Sequence, residues 1–186
     1  MCDAAAGRII DALKRHGLLE NTVVIWTADH GDALGSHGGH LDKNCYLSEE
    51  MIRIPLLVRA PGAGCGAVSA ANVSNLDIPA TIADYCGERF RTEIDAQSLR
   101  PYLEDAGSAG REYFVSVSHG HFQRHIARAV CAGRYRYIYN KNMTEELYDL
   151  ETDPYELHNL CNDPAYADIK KRLQEELDCW RKEYRD

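Results

Sequence analysis

The sequence lacks the long hydrophobic runs, the excess of positive charge and the cysteine spacing on which several protein classes depend. Its longest apolar runs, Thr22–Trp26 and Ile54–Val58, are far too short to cross a bilayer. Lys and Arg number 21 against 29 Asp and Glu, and this net charge of -8 argues against a nucleic-acid partner. An anionic ligand would therefore have to be attracted by local positive charge.

The seven cysteines are odd in number, and no two of them are spaced as in a CxxC motif. Neither a zinc ribbon nor a disulfide framework fits this pattern. We expect reduced thiols, which favour a cytoplasmic location. A secretory leader is not expected either, because Asp3 and Arg8 interrupt the Ala-rich N-terminal stretch.

Helix and buried-strand patterns alternate in the first part of the chain. Apolar spacing predicts a helix over Asp3–His16, and continuous β-branched or aromatic runs predict strands at Thr22–Thr27 and Ile54–Arg59. Asp77 is expected to cap a further helix. This alternation predicts an α/β core with a parallel or mixed sheet.

A different pattern begins near residue 105. Short strands are predicted at residues 113–118, 125–132, 135–140 and 146–150, and a final helix begins at Pro164. We therefore expect two domains: an α/β core over residues 1–105, and a C-terminal α+β subdomain over residues 106–186, with a small antiparallel sheet and a helix.

The most informative segment is Asp29-His30-Gly31, directly after the first predicted strand. Ligands of open α/β sheets bind outside the carboxyl ends of the strands. A glycine lets the backbone turn so that neighbouring side chains can face one site. The carboxylate suits a hard divalent cation and the imidazole adds a nitrogen ligand, although three such residues alone are more often a simple turn or a helix cap.

Several motifs, in order along the chain, resemble the sulfatase family of the alkaline phosphatase-like superfamily. They are Asp29-His30-Gly31, Leu34-Gly35-Ser36-His37-Gly38, Lys43, Glu49-Glu50, Arg53-Ile54-Pro55-Leu56, Asp77-Ile78-Pro79-Ala80-Thr81, and the segment from Glu146 to Leu160. The resemblance covers nearly the whole chain and corresponds to the C-terminal part of the family. It implies an alkaline phosphatase-like α/β sandwich core, here incomplete, and hydrolysis of sulfate esters of a sugar or small alcohol.

The resemblance also implies roles for single residues. Asp29 and His30 would bind the divalent metal, commonly calcium in this family, although a histidine ligand leaves manganese or zinc open. Lys43 would act in catalysis by contacting the sulfate. The loop before Lys43 is about one residue longer than the common family pattern, which makes His40 a possible extra substrate contact.

Three further histidines are candidates for contact with the substrate. His37 belongs to the family loop, where it would either orient the turn or touch the substrate. His119 and His121 resemble a segment that borders the substrate pocket in one subfamily, but a surface turn is an equal alternative.

The sulfatase resemblance also requires a motif that we do not find. The Cys- or Ser-x-Pro/Ala-x-Arg sequence, whose first residue becomes formylglycine, is absent; Cys65 comes nearest but lacks the arginine. We therefore expect the nucleophile to lie upstream, this chain alone to be inactive, and the missing N-terminal part of the same protein to be its partner. A phosphonate or phosphodiester hydrolase and a non-catalytic binding module are the alternatives.

Overall fold

The structure is a computed structural model that describes residues 1–42, 46–120 and 124–186. In chain order its elements are α1 (Cys2–Arg15), β1 (Val24–Thr27), α2 (Ser36–Gly39), α3 (Glu49–Ile52), β2 (Leu56–Arg59), α4 (Asp77–Tyr85), α5 (Arg100–Glu104), β3 (Tyr113–Gly120), β4 (Arg124–Ala132), β5 (Tyr135–Asn140), β6 (Glu146–Asp149) and α6 (Ala167–Tyr184). Short 3-10 turns at Leu19–Asn21 and Pro164–Tyr166 complete the order.

The chain divides into two compact units. Unit 1 contains Met1–Thr27 and Pro55–Ala109, and unit 2 contains Ala28–Ile54 and Gly110–Asp186. The segment between β1 and β2 thus groups with the C-terminal part of the chain. The domain boundary between residues 105 and 106 stays a prediction.

Unit 1 contains a two-stranded sheet. The strands β1 and β2 pair antiparallel, with Trp26 opposite Leu57. The helix and both strands expected here are confirmed, and the antiparallel pair is compatible with the mixed sheet that was one of the two expectations. Burial on both faces is not observed for this pair, since Trp26 is 45% and Leu57 62% exposed. A continuous apolar run indicates a strand that can be covered on both faces, but it fixes neither its partner nor its direction.

Helix α4 begins one residue earlier than predicted. Its N-cap is Leu76, so the prediction that Asp77 caps the helix is wrong. The buried Asp77 carboxylate instead accepts hydrogen bonds from the backbone amides of Ser74 at 2.8 Å and Gln97 at 2.9 Å. A buried carboxylate needs such donors, and here they fasten the loops on both sides of the helix.

Unit 2 is built on an antiparallel sheet in the order β3-β4-β5-β6. The hairpin between β4 and β5 turns at Gly133, whose φ of 58° is left-handed. Leu173 and Leu177 of α6 pack on the sheet together with Val130, Tyr137 and Leu147, all at most 1% exposed. The predicted C-terminal sheet and helix are therefore confirmed.

The start of the last helix differs from the prediction. Pro164 opens a 3-10 turn, and the α-helix begins only at Ala167. Asp163 caps this turn by accepting a hydrogen bond from the amide of Ala165 at 2.9 Å. Proline fits either kind of first turn, because its missing N–H would have no partner there.

The sequence predicts that the chain has no membrane-spanning segment and that its cysteines are reduced. Within the described ranges, no helix has both the length and the apolar character needed to span a bilayer. The six cysteines in the described part of the chain are free thiols.

Candidate active site

The structure brings the two predicted metal ligands together. Asp29 and His30 follow β1 after one intervening residue, Ala28, and the Oδ2 atom of Asp29 lies 3.5 Å from the Nε2 atom of His30. The backbone amide of His30 donates to Oδ1 of the same aspartate at 2.9 Å. The side chains are 86% and 39% exposed, so a ligand in solution can reach both.

The imidazole of His30 has the orientation of a metal-binding histidine. Its Nδ1 lies 2.7 Å from the carbonyl oxygen of Gly31. Because a carbonyl can only accept, Nδ1 is the donor in this contact, and Nε2 is the ring nitrogen that faces Asp29. A backbone carbonyl on the second nitrogen is the usual support of a ligating histidine. The pair therefore fits a divalent cation, although two protein ligands alone would leave it under-coordinated.

Gly31 has a different role from the one that the sequence suggested. Its φ is not in the left-handed region. Instead its amide donates to the carbonyl of Met51 at 2.8 Å, and a Cβ at this position would overlap the carbonyl oxygen of Glu50. Glycine is therefore required because α3 approaches the backbone closely.

His37 is held by a carboxylate. Its Nε2 lies 2.9 Å from Oε2 of Glu50, and both side chains are 25% exposed. The backbone at His37 is left-handed, with φ of 48°, which costs a non-glycine residue about 1–2 kcal/mol. These observations favour the orienting role for His37. Substrate contact by His37 stays a prediction.

His40 lies beside a small cavity in unit 2. Its ring centroid is 4.4 Å from that of Tyr46. The cavity has a volume of about 170 Å³, and His37, His40, Ser48 and Glu156 are among its lining residues. A contact between His40 and a substrate stays a prediction.

His37 belongs to a charged cluster that was not predicted from the sequence. Among the described residues, His37, Glu50 and Glu156 place potential ligand atoms within 4.8 Å of one another. Glu156 is not well suited to a metal, because its carboxylate already accepts from Arg136 and from the amide of Glu49. Glu50 and Glu156 both lie in the family motifs, which was the signal available in the sequence.

Among the described residues, His119 is not part of this cluster. Lys43 and His121 lie outside the described residues. His119 is exposed near the end of β3. The hydrogen bond from Arg128 is the main reason that the pKa of Asp186 is low, and the charge of His119 adds to that effect.

The family model for N-sulphoglucosamine sulphohydrolase, C-terminal, matches residues 35–183. The chain belongs to the sulfatase family. This sulfatase chain is 31% identical over 193 residues to the N-acetylglucosamine-6-O-sulfatase of Bacteroides thetaiotaomicron, covering 99% of the chain and 34% of that relative. It is 34% identical over 168 residues to the choline-sulfatase of Rhizobium meliloti, covering 87% of the chain and 31% of the relative.

Solved structures confirm the expected fold. A protein solved with its substrate, D-glucosamine-2-N,6-O-disulfate, matches with a TM-score of 0.88 and 30% identity, over 97% of the sulfatase chain and 38% of that protein. The phosphonate monoester hydrolase of Silicibacter pomeroyi matches with a TM-score of 0.84 and 26% identity, over 97% and 38%. The alkaline phosphatase-like fold is therefore shown.

The sulfatase chain spans about a third of the length of the curated relatives named above, 34% and 31%. It corresponds to their C-terminal part.

Proposed function

We propose that this chain supplies the C-terminal part of the metal and sulfate site of a sulfuric ester hydrolase. The single observation that carries the proposal is the Asp29–His30 pair, held after β1 with ligand atoms 3.5 Å apart. The family membership adds the reaction class, because the curated relatives are sulfatases.

The substrate that we propose is the sulfate ester of a sugar or small alcohol. Relatives of both kinds support it, one named N-acetylglucosamine-6-O-sulfatase and one named choline-sulfatase. The net charge of -8 makes local positive charge necessary for binding such an anion. Lys43 would supply it from this chain, as a compact ammonium group that neutralises charge on the sulfate oxygens.

Asp29 and His30 would hold a divalent metal, calcium by family resemblance, with manganese and zinc as alternatives. When bound, such an ion supplies Lewis-acid stabilisation of charge on sulfate oxygens. The residues of this chain orient that site: the carbonyl of Gly31 accepts a hydrogen bond from Nδ1 of His30, and the amide of Gly31 donates to the carbonyl of Met51. In this proposal the formylglycine nucleophile, the remaining metal ligands and the catalytic competence come from the rest of a longer protein, and this chain alone is inactive.

The exposed apolar residues of unit 1 support the need for such a partner segment. Ile9 is 63%, Trp26 45% and Leu57 62% exposed. Apolar side chains on a helix and on paired strands are usually covered in a complete domain. We propose that the part of the relatives that this chain does not span covers them.

Hydrolysis of a phosphonate or phosphate diester is the second candidate. The structural match to a phosphonate monoester hydrolase, at a TM-score of 0.84, is the observation that supports this second candidate. An Asp-His metal pair is compatible with either anion. A binding module without catalysis is the third candidate, because the absence of the nucleophile motif from these residues is compatible with it.

A paired assay separates the candidates. The full-length protein is incubated with a sugar sulfate, choline sulfate, and a phosphonate monoester of matched leaving group. We expect kcat/KM to be higher for a sulfate ester than for the phosphonate ester. Higher kcat/KM for the phosphonate ester would select the second candidate, and turnover of neither class, with retained binding of the sulfated sugar, would select the binding module.

A further inference from the structure

A buried glutamate occupies a strained backbone position in the loop that follows β6. Glu156 has a φ of 52°, in the left-handed region, yet its side chain is only 1% exposed. Its neighbours Tyr155 and Leu157 are 68% and 66% exposed. Glycine would adopt this backbone at lower cost, so the glutamate side chain must have a use that offsets the strain.

The rest of the loop presents that side chain to the interior. The carboxylate of Asp153 accepts hydrogen bonds from the amides of Leu157 at 3.1 Å and His158 at 2.8 Å. These bonds close a tight turn around Glu156. The carboxylate therefore reaches inward from a fixed backbone, as a positioning group requires.

The carboxylate of Glu156 joins two elements of unit 2. Oε1 accepts from Nη1 of Arg136 at 2.7 Å, and Oε2 accepts from the backbone amide of Glu49 at 2.7 Å. Arg136, on β5, is 4% exposed and also pairs with the Glu49 carboxylate. Burial raises the pKa of Glu156, and Arg136 opposes that rise. The first residue of α3 is thus tied to the centre of the sheet.

Helix α3 is in turn tied to the segment of residues 28–42, called here the metal loop. Its Met51 carbonyl accepts from the amide of Gly31 at 2.8 Å, one residue after the candidate ligand His30. Its Glu50 carboxylate holds His37 at 2.9 Å. Glu156 therefore acts on two points of the metal loop through a single turn of helix.

We propose that Glu156 is a positioning residue of the metal loop: it fixes α3 to β5, and α3 fixes the backbone that carries Asp29 and His30. The role in metal binding rests on the proposed function, whereas the role in ordering the loop does not. The resemblance to the sulfatase family includes Glu156 in a motif but assigns it no role. Glu156 and Asp29 are far apart in the sequence, and only the folded contacts through α3 connect them.

The test measures loop order and metal affinity separately, in the full-length protein. In Glu156→Gly, which removes the carboxylate and relieves the backbone, we expect amide hydrogen exchange in the metal loop to rise by about tenfold or more, the equivalent of losing one hydrogen bond to a charged group. Exchange in β4 and β5 should stay within about twofold of wild type. The dissociation constant for Ca²⁺, measured by calorimetry, should rise by about 10–100-fold.

Matched variants separate positioning from general damage. Asn142→Gly removes the backbone strain of another left-handed residue, at φ of 62°, on an exposed turn. It should change neither the hydrogen exchange of the metal loop nor the dissociation constant for Ca²⁺. Glu156→Gln keeps the volume of the side chain and serves if the glycine variant folds poorly. In both Glu156 variants Arg136 keeps the carboxylate of Glu49 as a partner, which limits the cost of an unpaired buried charge.

Two results would overturn the proposal: metal-loop exchange within about twofold of wild type, or an equal rise of exchange in β4 and β5. If the wild-type protein binds no Ca²⁺ and hydrolyses no sulfate ester, the proposed function fails. The exchange measurement then still decides whether Glu156 orders the loop.

Discussion

Gly31 and Met51 are joined backbone to backbone, with the amide of Gly31 2.8 Å from the carbonyl oxygen of Met51. This bond places α3 directly against the residue that follows the candidate ligands Asp29 and His30. The contact is so close that the carbonyl of Glu50 occupies the space of a side chain at Gly31. The site therefore depends on a residue that carries no functional group.

The first prediction concerns this contact. Gly31→Ala should lower the free energy of unfolding by about 1–3 kcal/mol, because the new methyl group must displace α3 or the loop. It should also weaken metal binding, which calorimetry with Ca²⁺ can measure. Gly64→Ala is the control, since a Cβ there meets nothing within 4 Å. Equal effects of the two substitutions would contradict the close-contact account.

The second prediction concerns Lys43, which is assigned from the sequence alone. Lys43→Ala in the full-length protein should lower kcat by about 10²–10³-fold, the usual effect of losing one group that stabilises transition-state charge. The melting temperature should hardly change. Lys171→Ala, at a lysine side chain that is 75% exposed on α6, is the control. Unchanged turnover would remove Lys43 from the mechanism.

The third prediction is a pH dependence at Asp186. The hydrogen bond from Arg128 lowers the pKa of Asp186, and the Arg128 side chain is only 3% exposed. A lowered folded-state pKa stabilises the protein above the unfolded pKa of about 3.9, and this stabilisation is lost as the pH falls through the lower folded-state value.

Asp186→Asn should therefore reduce the free energy of unfolding by about 1–2 kcal/mol at pH 7, and the difference from wild type should shrink below about pH 3.9. Urea unfolding at several pH values measures this. Asp178→Asn, whose side chain is 64% exposed, should have little effect. A difference for Asp186→Asn that does not depend on pH would show that the ion pair is not its cause.

The fourth prediction concerns the packing of α6 on the sheet. Leu177 is 1% exposed within the core of unit 2. Leu177→Ala should cost about 2–5 kcal/mol, from lost burial and the cavity that remains. Leu157→Ala, at a residue that is 66% exposed, should cost far less. Chemical denaturation of both variants gives the comparison.

Single strands and helices could be predicted well from the sequence where the spacing of apolar residues and a flanking turn residue both marked them. The strand at Tyr135–Asn140 agrees with the structure at both ends, because alternating aromatic residues and a glycine turn define it. The pairing of β1 with β2 could not be predicted in the same way. Trp26 and Leu57 show only that each strand is apolar, whereas direction depends on contacts between distant segments.

The part of the candidate site that lies in one short segment could be predicted, whereas the contacts between distant segments could not. Asp29 and His30 are adjacent, so one strand end brings them together. The contact of Glu156 with Glu49 joins segments that no local pattern connects. Gly31 was recognised as important, but the reason is a close approach of α3, which only the fold reveals.

The most direct test of the central claim is the effect of Asp29→Asn on sulfate-ester hydrolysis by the full-length protein, with Asp168→Asn, at an exposed residue of α6, as control. We predict that kcat/KM falls by about 10²-fold or more, with weaker metal binding and an almost unchanged melting temperature. A kcat/KM for Asp29→Asn equal to that of the control would contradict the claim that Asp29 holds the metal.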